Sequence, residues 1–165
     1  QDHLDYHETF EAYFDAKAGL FARVLPEDGT AVINIDDPKG VDVVAIAKAR
    51  GCAVITVGRD GGDLHLIAQR FDATGQDLRF NWKGKTYQKR LDLIGGFQAE
   101  NALMAAGLAI AAGTPAADAF AALPIMTDAG LESSTSGAAG LAAMLAGAAA
   151  LDAGSRVLCI VSEEP

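Results

Sequence analysis

Two imidazoles and two carboxylates stand within the first seven residues: Asp2, His3, Asp5 and His7. Side chains of these types carry protons and ligate metals. Lys17 follows in the run Tyr13-Phe14-Asp15-Ala16-Lys17-Ala18-Gly19-Leu20-Phe21. Helical spacing puts Tyr13, Lys17 and Leu20 on one face and groups Phe10, Phe14 and Phe21 in the same way. An ammonium among aromatic and aliphatic groups must snorkel, pair, shift its pKa or be modified. On spacing alone, a surface histidine and a snorkelling lysine account for the pattern.

The elements that would position these groups alternate in type. After the opening helix, Pro26-Glu27-Asp28-Gly29 reads as a turn and residues 31–35 as a buried parallel strand. The strand runs into Asn34-Ile35-Asp36-Asp37-Pro38, so carboxylates lie just past its C-terminal end, the edge where open α/β sheets bind ligands. The plainer reading is that Asp36 or Asp37 caps the next helix, with Pro38 in its first turn. Residues 41–50 form that helix, Gly51 ends it, and residues 52–57 form a second buried strand, completing a crossover unit.

Gly58-Arg59-Asp60-Gly61-Gly62 is glycine-rich but has neither the Lys-Ser/Thr of a phosphate loop nor the GxGxxG order. Residues 64–71, 77–82 and 86–93 then alternate apolar and polar, with turns at Ala73-Thr74-Gly75 and Lys83-Gly84-Lys85, which predicts an antiparallel meander. Its cluster Lys83, Lys85, Lys89 and Arg90 is either an anion contact or a solvated face of exposed strands. Gln98 and Asn101 open a helix packed through Leu103, Leu108 and Ile110, and Gly113-Thr114-Pro115 leads to a last helix over residues 116–123. The expected architecture is α/β: a parallel sheet flanked by helices, with a small antiparallel side sheet.

Asp2-His3-Leu4-Asp5-Tyr6-His7 and Tyr13-Phe14-x-Ala16-Lys17-x-x-Leu20-Phe21 resemble the Mur ligases, most of all the members that add meso-diaminopimelate or lysine to UDP-MurNAc-L-Ala-D-Glu. Asn34-x-Asp36-Asp37-Pro38 and Gly96-Phe97-Gln98-x-x-Asn101-x-Leu103 extend the resemblance to residues 1–123. It implies that His3 helps hold Mg²⁺ and that Lys17 is carbamylated. A carbamate converts a cation into an oxygen-donor anion, which suits a hard metal ion. It implies also that Asn101, with Gln98 where an asparagine is usual, meets the adenine of ATP, since a side-chain amide donates and accepts together. The implied activity is ATP-dependent amide-bond formation through an acyl phosphate in peptidoglycan synthesis, with UDP-MurNAc-peptide and nucleotide as partners. Early-helix polar residues remain the alternative for Gln98 and Asn101.

The resemblance weakens after Leu123. Residues 131–165 are similar instead to the C-terminal end of fold-type II pyridoxal-phosphate enzymes, with Ser162 at the position that meets the pyridine nitrogen. The Schiff-base lysine motif of that fold is absent from the sequence, so PLP binding is not expected. Physically, residues 133–136 supply an N-cap, 137–150 a small-residue helix and 156–161 a buried strand. A single α/β domain over residues 1–165 is expected, with 1–123 Mur-ligase-like and 131–165 a helix–strand extension.

Half of the residues are hydrophobic, enough for a sizeable core, and the net charge is −9. That charge excludes a nucleic-acid footprint or an anionic-membrane binder. No stretch is apolar and long enough to span a bilayer, and Cys52 and Cys159 read as buried thiols of a cytoplasmic protein. Gln1 starts inside a motif, which reads as a fragment or a chimera. Gly84-Lys85-Thr86 is the one Gly-Lys-Ser/Thr triplet, and it falls at a hairpin turn with no glycine at the required spacing before it. A Mur ligase central-domain piece, catalytically incomplete alone, is therefore expected. A recombined or engineered non-catalytic α/β binding module and a PLP-dependent lyase fragment are the alternatives.

Overall fold

The computed structural model describes residues 9–123. Helix α1, Phe10–Gly19, begins where Thr9 Oγ1 accepts the Ala12 N–H at 3.1 Å, satisfying a first-turn amide that has no partner within the helix. A π-helical turn, Leu20–Val24, continues it and brings Phe21 and Leu25 onto a small apolar cluster. Strand β1 (Thr30–Asn34), helix α2 (Gly40–Ala49) and strand β2 (Ala53–Gly58) follow. β1 and β2 pair in parallel from Thr30–Ala53 to Asn34–Val57. Val32 of β1 joins the main core, while Ala31 and Ile33 pack with Ala47, Cys52 and Phe21 on the other face. Burial on both faces is why this strand reads as an unbroken apolar run.

The expected side sheet is not separate. Strands β3 (Leu64–Asp72), β4 (Gly75–Trp82) and β5 (Lys85–Leu91) continue the same sheet, in the order β1-β2-β3-β4-β5. β3 meets β2 in parallel only through Val57–Leu64 and Gly58–His65. Parallel neighbours ordinarily need a crossover of about a dozen residues or more. Residues 59–63 suffice here because β3 starts where β2 ends and runs on past it. Gly61 and Gly62, at φ of 152° and 105°, make the bend. Asp63 locks it: its Oδ2 accepts the Thr56 N–H and hydroxyl, both at 2.8 Å.

β3–β4 and β4–β5 are antiparallel, as the alternation predicts. Lys83 and Gly84, both at positive φ, form the two-residue hairpin turn. Gly84-Lys85-Thr86 is thus a hairpin, which confirms that it is no phosphate loop. Gln76, Leu78, Phe80 and Trp82 of β4 point inward. Helix α3 (Gln98–Ala111) covers them with Ala99, Ala102, Leu103 and Ala106, and α4 (Ala116–Ala121) adds Phe120, edge-on to Phe80 at 5.0 Å. At Gly107, α3 comes so close to the sheet that a Cβ would lie 2.8 Å from Val32 Cγ1.

Two helix boundaries differ from expectation. α4 stops at Ala121, and α2 starts at Gly40, so Pro38 precedes the helix. The Gly40 N–H closes a turn onto Asp37 O at 2.8 Å, and Gly40 lies against the Asn34 carbonyl where no side chain fits. The helix and strand expected at 137–150 and 156–161, with Cys159 and Ser162, lie outside the described residues.

Candidate functional site

The C-terminal end of β1 is organised by its own polar residues. Asn34 Oδ1 accepts the Asp36 N–H at 2.9 Å, and Asp37 Oδ1 accepts the Lys39 N–H at 2.7 Å. Asp37 therefore shapes the turn before α2 without occupying its N-cap, where Lys39 stands with no side-chain cap. Asp36 does something else. Both of its oxygens accept the Arg59 N–H at 2.9 Å, bracing the glycine-rich loop after β2. The Arg59 guanidinium pairs with Glu100 in the first turn of α3 and donates to Gly96 O at 3.0 Å. His65 Nε2 meets Arg59 O at 3.0 Å. The loops after β1, β2 and β5 are thereby tied together at one end of the sheet.

A cavity of about 330 Å³ opens beside this end. Its apolar walls are Phe14, Phe21, Val32, Ile33, Val43 and Met104, and its polar rim carries Lys17, Asn34, Asp37 and Lys39. Of the expected face Tyr13, Lys17 and Leu20, Tyr13 and Lys17 are in contact while Leu20 is 53% exposed; Lys17 lines the cavity with Phe14 and Phe21. The Lys17 ammonium lies 4.5 Å from the centre of the Tyr13 ring, so it snorkels and makes a cation–π contact. Lys39 stands 5.0 Å over Phe14 and pairs with Asp42 at 3.2 Å.

His3 lies outside the described residues. Gln98 and Asn101 sit at the head of α3, both half-buried. Neither lines the cavity, but Met104, one turn beyond Asn101, does. Among the described residues no three His, Cys, Asp or Glu side chains converge as a metal site. The donors at the rim are nonetheless oxygens, from Asn34 and Asp37. Unmodified Lys17 is a cation and cannot ligate a metal. As a carbamate it would add oxygens to a cavity that Asp37 also lines, a donor set that fits magnesium in kind.

Three members of the surrounding network carry no motif. Gln76 is fully buried and gives its two N–H groups to Leu93 O and Gly95 O, each at 3.0 Å. Its Oε1 accepts from Gln69, whose amide also reaches Gly96 O at 2.8 Å. Together with Arg59 they hold the loop that launches α3. An amide at an inward position of the β4 alternation was the available signal for Gln76. In the basic cluster, Arg90 is engaged by Asp72, Asp77 and Asp92, and Lys83 and Lys85 lie over Trp82 and Tyr87.

A family model described as the Mur ligase middle domain matches residues 1–109. The UDP-N-acetylmuramoyl-L-alanyl-D-glutamate--2,6-diaminopimelate ligase of Zymomonas mobilis subsp. mobilis is 43% identical over 126 residues, which is 76% of this chain and 26% of that protein. The ligase of the same name from Mesorhizobium japonicum is 45% identical over 123 residues, 74% of this chain and 25% of its own length. A solved structure of a ligase of that name superposes with a TM-score of 0.68 at 26% identity, covering 76% of this chain and 26% of that one. MurF from Acinetobacter baumannii shares the fold, with a TM-score of 0.64 at 21% identity over 74% of this chain and 26% of that one. The chain spans about a quarter of the length of the curated relatives it matches.

Proposed function

The chain belongs to the Mur ligase middle-domain family, and from that membership we propose that it carries part of the metal and nucleotide site of an ATP-dependent ligase acting on a UDP-MurNAc-peptide. The observation that carries this reading is the position of Lys17. It lines a cavity at the C-terminal end of β1 that Asn34 and Asp37 also line. That edge is where open α/β sheets place ligands.

In this reading Lys17 is carbamylated and, with His3, holds Mg²⁺, which when bound neutralises charge on the nucleotide phosphates. The tie from Asp36 through Arg59 to Glu100 fixes the head of α3 relative to the end of β1. Gln98 and Asn101 are then presented to the adenine from a braced helix. The cation–π contact with Tyr13 opposes carbamylation, because it favours the ammonium by about 0.5–1 kcal/mol at an exposed site. That is within what one metal–carboxylate contact offsets.

The sequence contains no Gly-x-x-x-x-Gly-Lys-Ser/Thr run to cradle a γ-phosphate. The chain alone is therefore expected to hold the lysine site without turnover. Labelling with ¹³C-bicarbonate tests this. A carbamate carbon resonance that strengthens with Mg²⁺ and vanishes in Lys17→Ala is expected. The reading falls if wild type and Lys17→Ala give the same spectrum with Mg²⁺ present.

A further inference from the structure

Of the two carboxylates that follow β1, Asp37 lines the Lys17 cavity and Asp36 does not. Asp36 is given instead to the Arg59 N–H, and Gly58 makes room for it. A Cβ on Gly58 would lie 2.9 Å from Asp36 Oδ1 and 2.8 Å from Ile35 Cγ1. His65 Nε2 meets the Arg59 carbonyl at 3.0 Å, so both backbone groups of Arg59 are engaged. From this held main chain the side chain crosses to α3. Its Nε donates to Glu100 Oε1 and its Nη2 to Gly96 O. Gly96 and Glu100 stand on either side of Gln98 in the chain, so the guanidinium brackets that residue, and Asn101 comes next.

Ordinary capping does not account for this contact. The unpaired groups at a helix start are N–H donors, and a cap that satisfies them is an acceptor. No side chain caps α3 at Phe97. Arg59 brings only donors, and its charge is set against the positive end of the helix dipole, which Glu100 offsets. What the guanidinium supplies is position. It joins a carbonyl before the helix to a carboxylate within the first turn, and so fixes where that turn begins. We propose that Asp36 and Arg59 are positioning residues for nucleotide binding. Arg59 sets the first turn of α3, and Asp36 acts only through Arg59. The ligand class, an adenine nucleotide at Gln98 and Asn101, rests on the reading above, whereas the relay from Asp36 to α3 does not.

Amide exchange by NMR on the nucleotide-free full chain, followed by titration with Mg-ADP, tests both parts. The Gln98 and Asn101 N–H groups are bonded to Gly95 O and Phe97 O. In Asp36→Ala and Arg59→Ala they should exchange about tenfold faster or more, while the β4–β5 amides keep their protection. Arg59→Lys, which keeps a charge for Glu100, should recover part of the loss. The double alanine variant should match Arg59→Ala, because residues acting in series do not add. Mg-ADP should bind Arg59→Ala about tenfold more weakly than wild type, with Arg59→Lys between them. If Asp36→Ala fails to fold, Gly58→Ala, which crowds the same carboxylate, replaces it. The proposal is overturned by unchanged exchange at Gln98 and Asn101 in Arg59→Ala, or by equal acceleration in the β4–β5 hairpin. It is overturned also by an Asp36→Ala effect that survives in full beside Arg59→Ala, or by equal Mg-ADP affinity in wild type and Arg59→Ala. A wild-type chain that binds no Mg-ADP overturns the adenine reading instead, and the exchange data then decide the relay.

Discussion

Gln76→Met asks how far a single amide holds the head of α3. The substitution keeps side-chain length and removes every polar atom of a residue with no exposed surface. Three hydrogen bonds go: two to the carbonyls of Leu93 and Gly95, and one from Gln69. At about 1 kcal/mol each, the loss is near 3 kcal/mol. Burying a thioether in place of the amide returns about 1 kcal/mol, on the scale of one buried methylene. A net loss of about 2 kcal/mol remains. With a urea slope of about 1.5 kcal/mol/M, the midpoint should fall by about 1.3 M. Trp82 is the chain's single tryptophan and lies on the same strand, so its fluorescence reports the transition directly. Amides at the start of α3 should also exchange faster than those of the β4–β5 hairpin. A midpoint within about 0.3 M of wild type, with a normal slope, would refute the view that Gln76 anchors the Leu93–Gly96 loop.

Two glycines should respond in a definite order. Gly40→Ala drives a Cβ into the Asn34 carbonyl, a backbone atom that cannot step aside, and should cost about 1–3 kcal/mol in chemical denaturation. Gly107→Ala meets the end of the Val32 side chain and gains about 1 kcal/mol of helix propensity, so it should lose less than Gly40→Ala; the reverse order would contradict the packing. The Asp72 carboxyl is held well below the usual carboxylate range, first by the Arg90 guanidinium and then by the Thr74 N–H and hydroxyl. Its pKa is depressed on folding, so the contribution is complete above the unfolded value of about 4 and drains as pH falls through the folded one. An NMR titration of Asp72 should move up toward the ordinary range in Arg90→Gln, and an unmoved midpoint would remove Arg90 as the cause.

Much of this fold could be read from local pattern. β1 and β2 are apolar runs between turns, and the β4–β5 hairpin follows from alternation around Lys83-Gly84. The junction of β2 with β3 was not legible. Two residue pairs leave no periodicity, and the bend depends on Asp63 finding Thr56 across the turn. At the candidate site, Lys17 could be placed beside Tyr13 because helical spacing is local, but its meeting Phe14 and Phe21 in one cavity could not. Asn34 and Asp37 could be placed because they end a strand. Lys39 and Met104 reach the same cavity only through the docking of α2 and α3. Arg59 and Glu100 meet across three elements, and no sequence spacing links them.

The lysine site and the ligase reaction make different demands on the chain. Lys17 is positioned by α1, and α1 is held by Phe21 and Leu25 packing beneath β1 and by Arg50 donating to Ala22 O at 2.7 Å. None of these contacts involves a nucleotide. Carbamylation then needs carbon dioxide and a neighbouring cation to stabilise the anion. Phosphoryl transfer needs a cradle for the γ-phosphate as well, which no run in this sequence supplies. The two properties should therefore separate. A carbamate at Lys17 without ATP-dependent phosphate release fits a middle-domain piece whose local packing suffices for its own site. Phosphate release that depends on ATP and UDP-MurNAc-dipeptide would mean that the Gly58–Gly62 loop, braced by Asp36 and Asp63, holds phosphate after all.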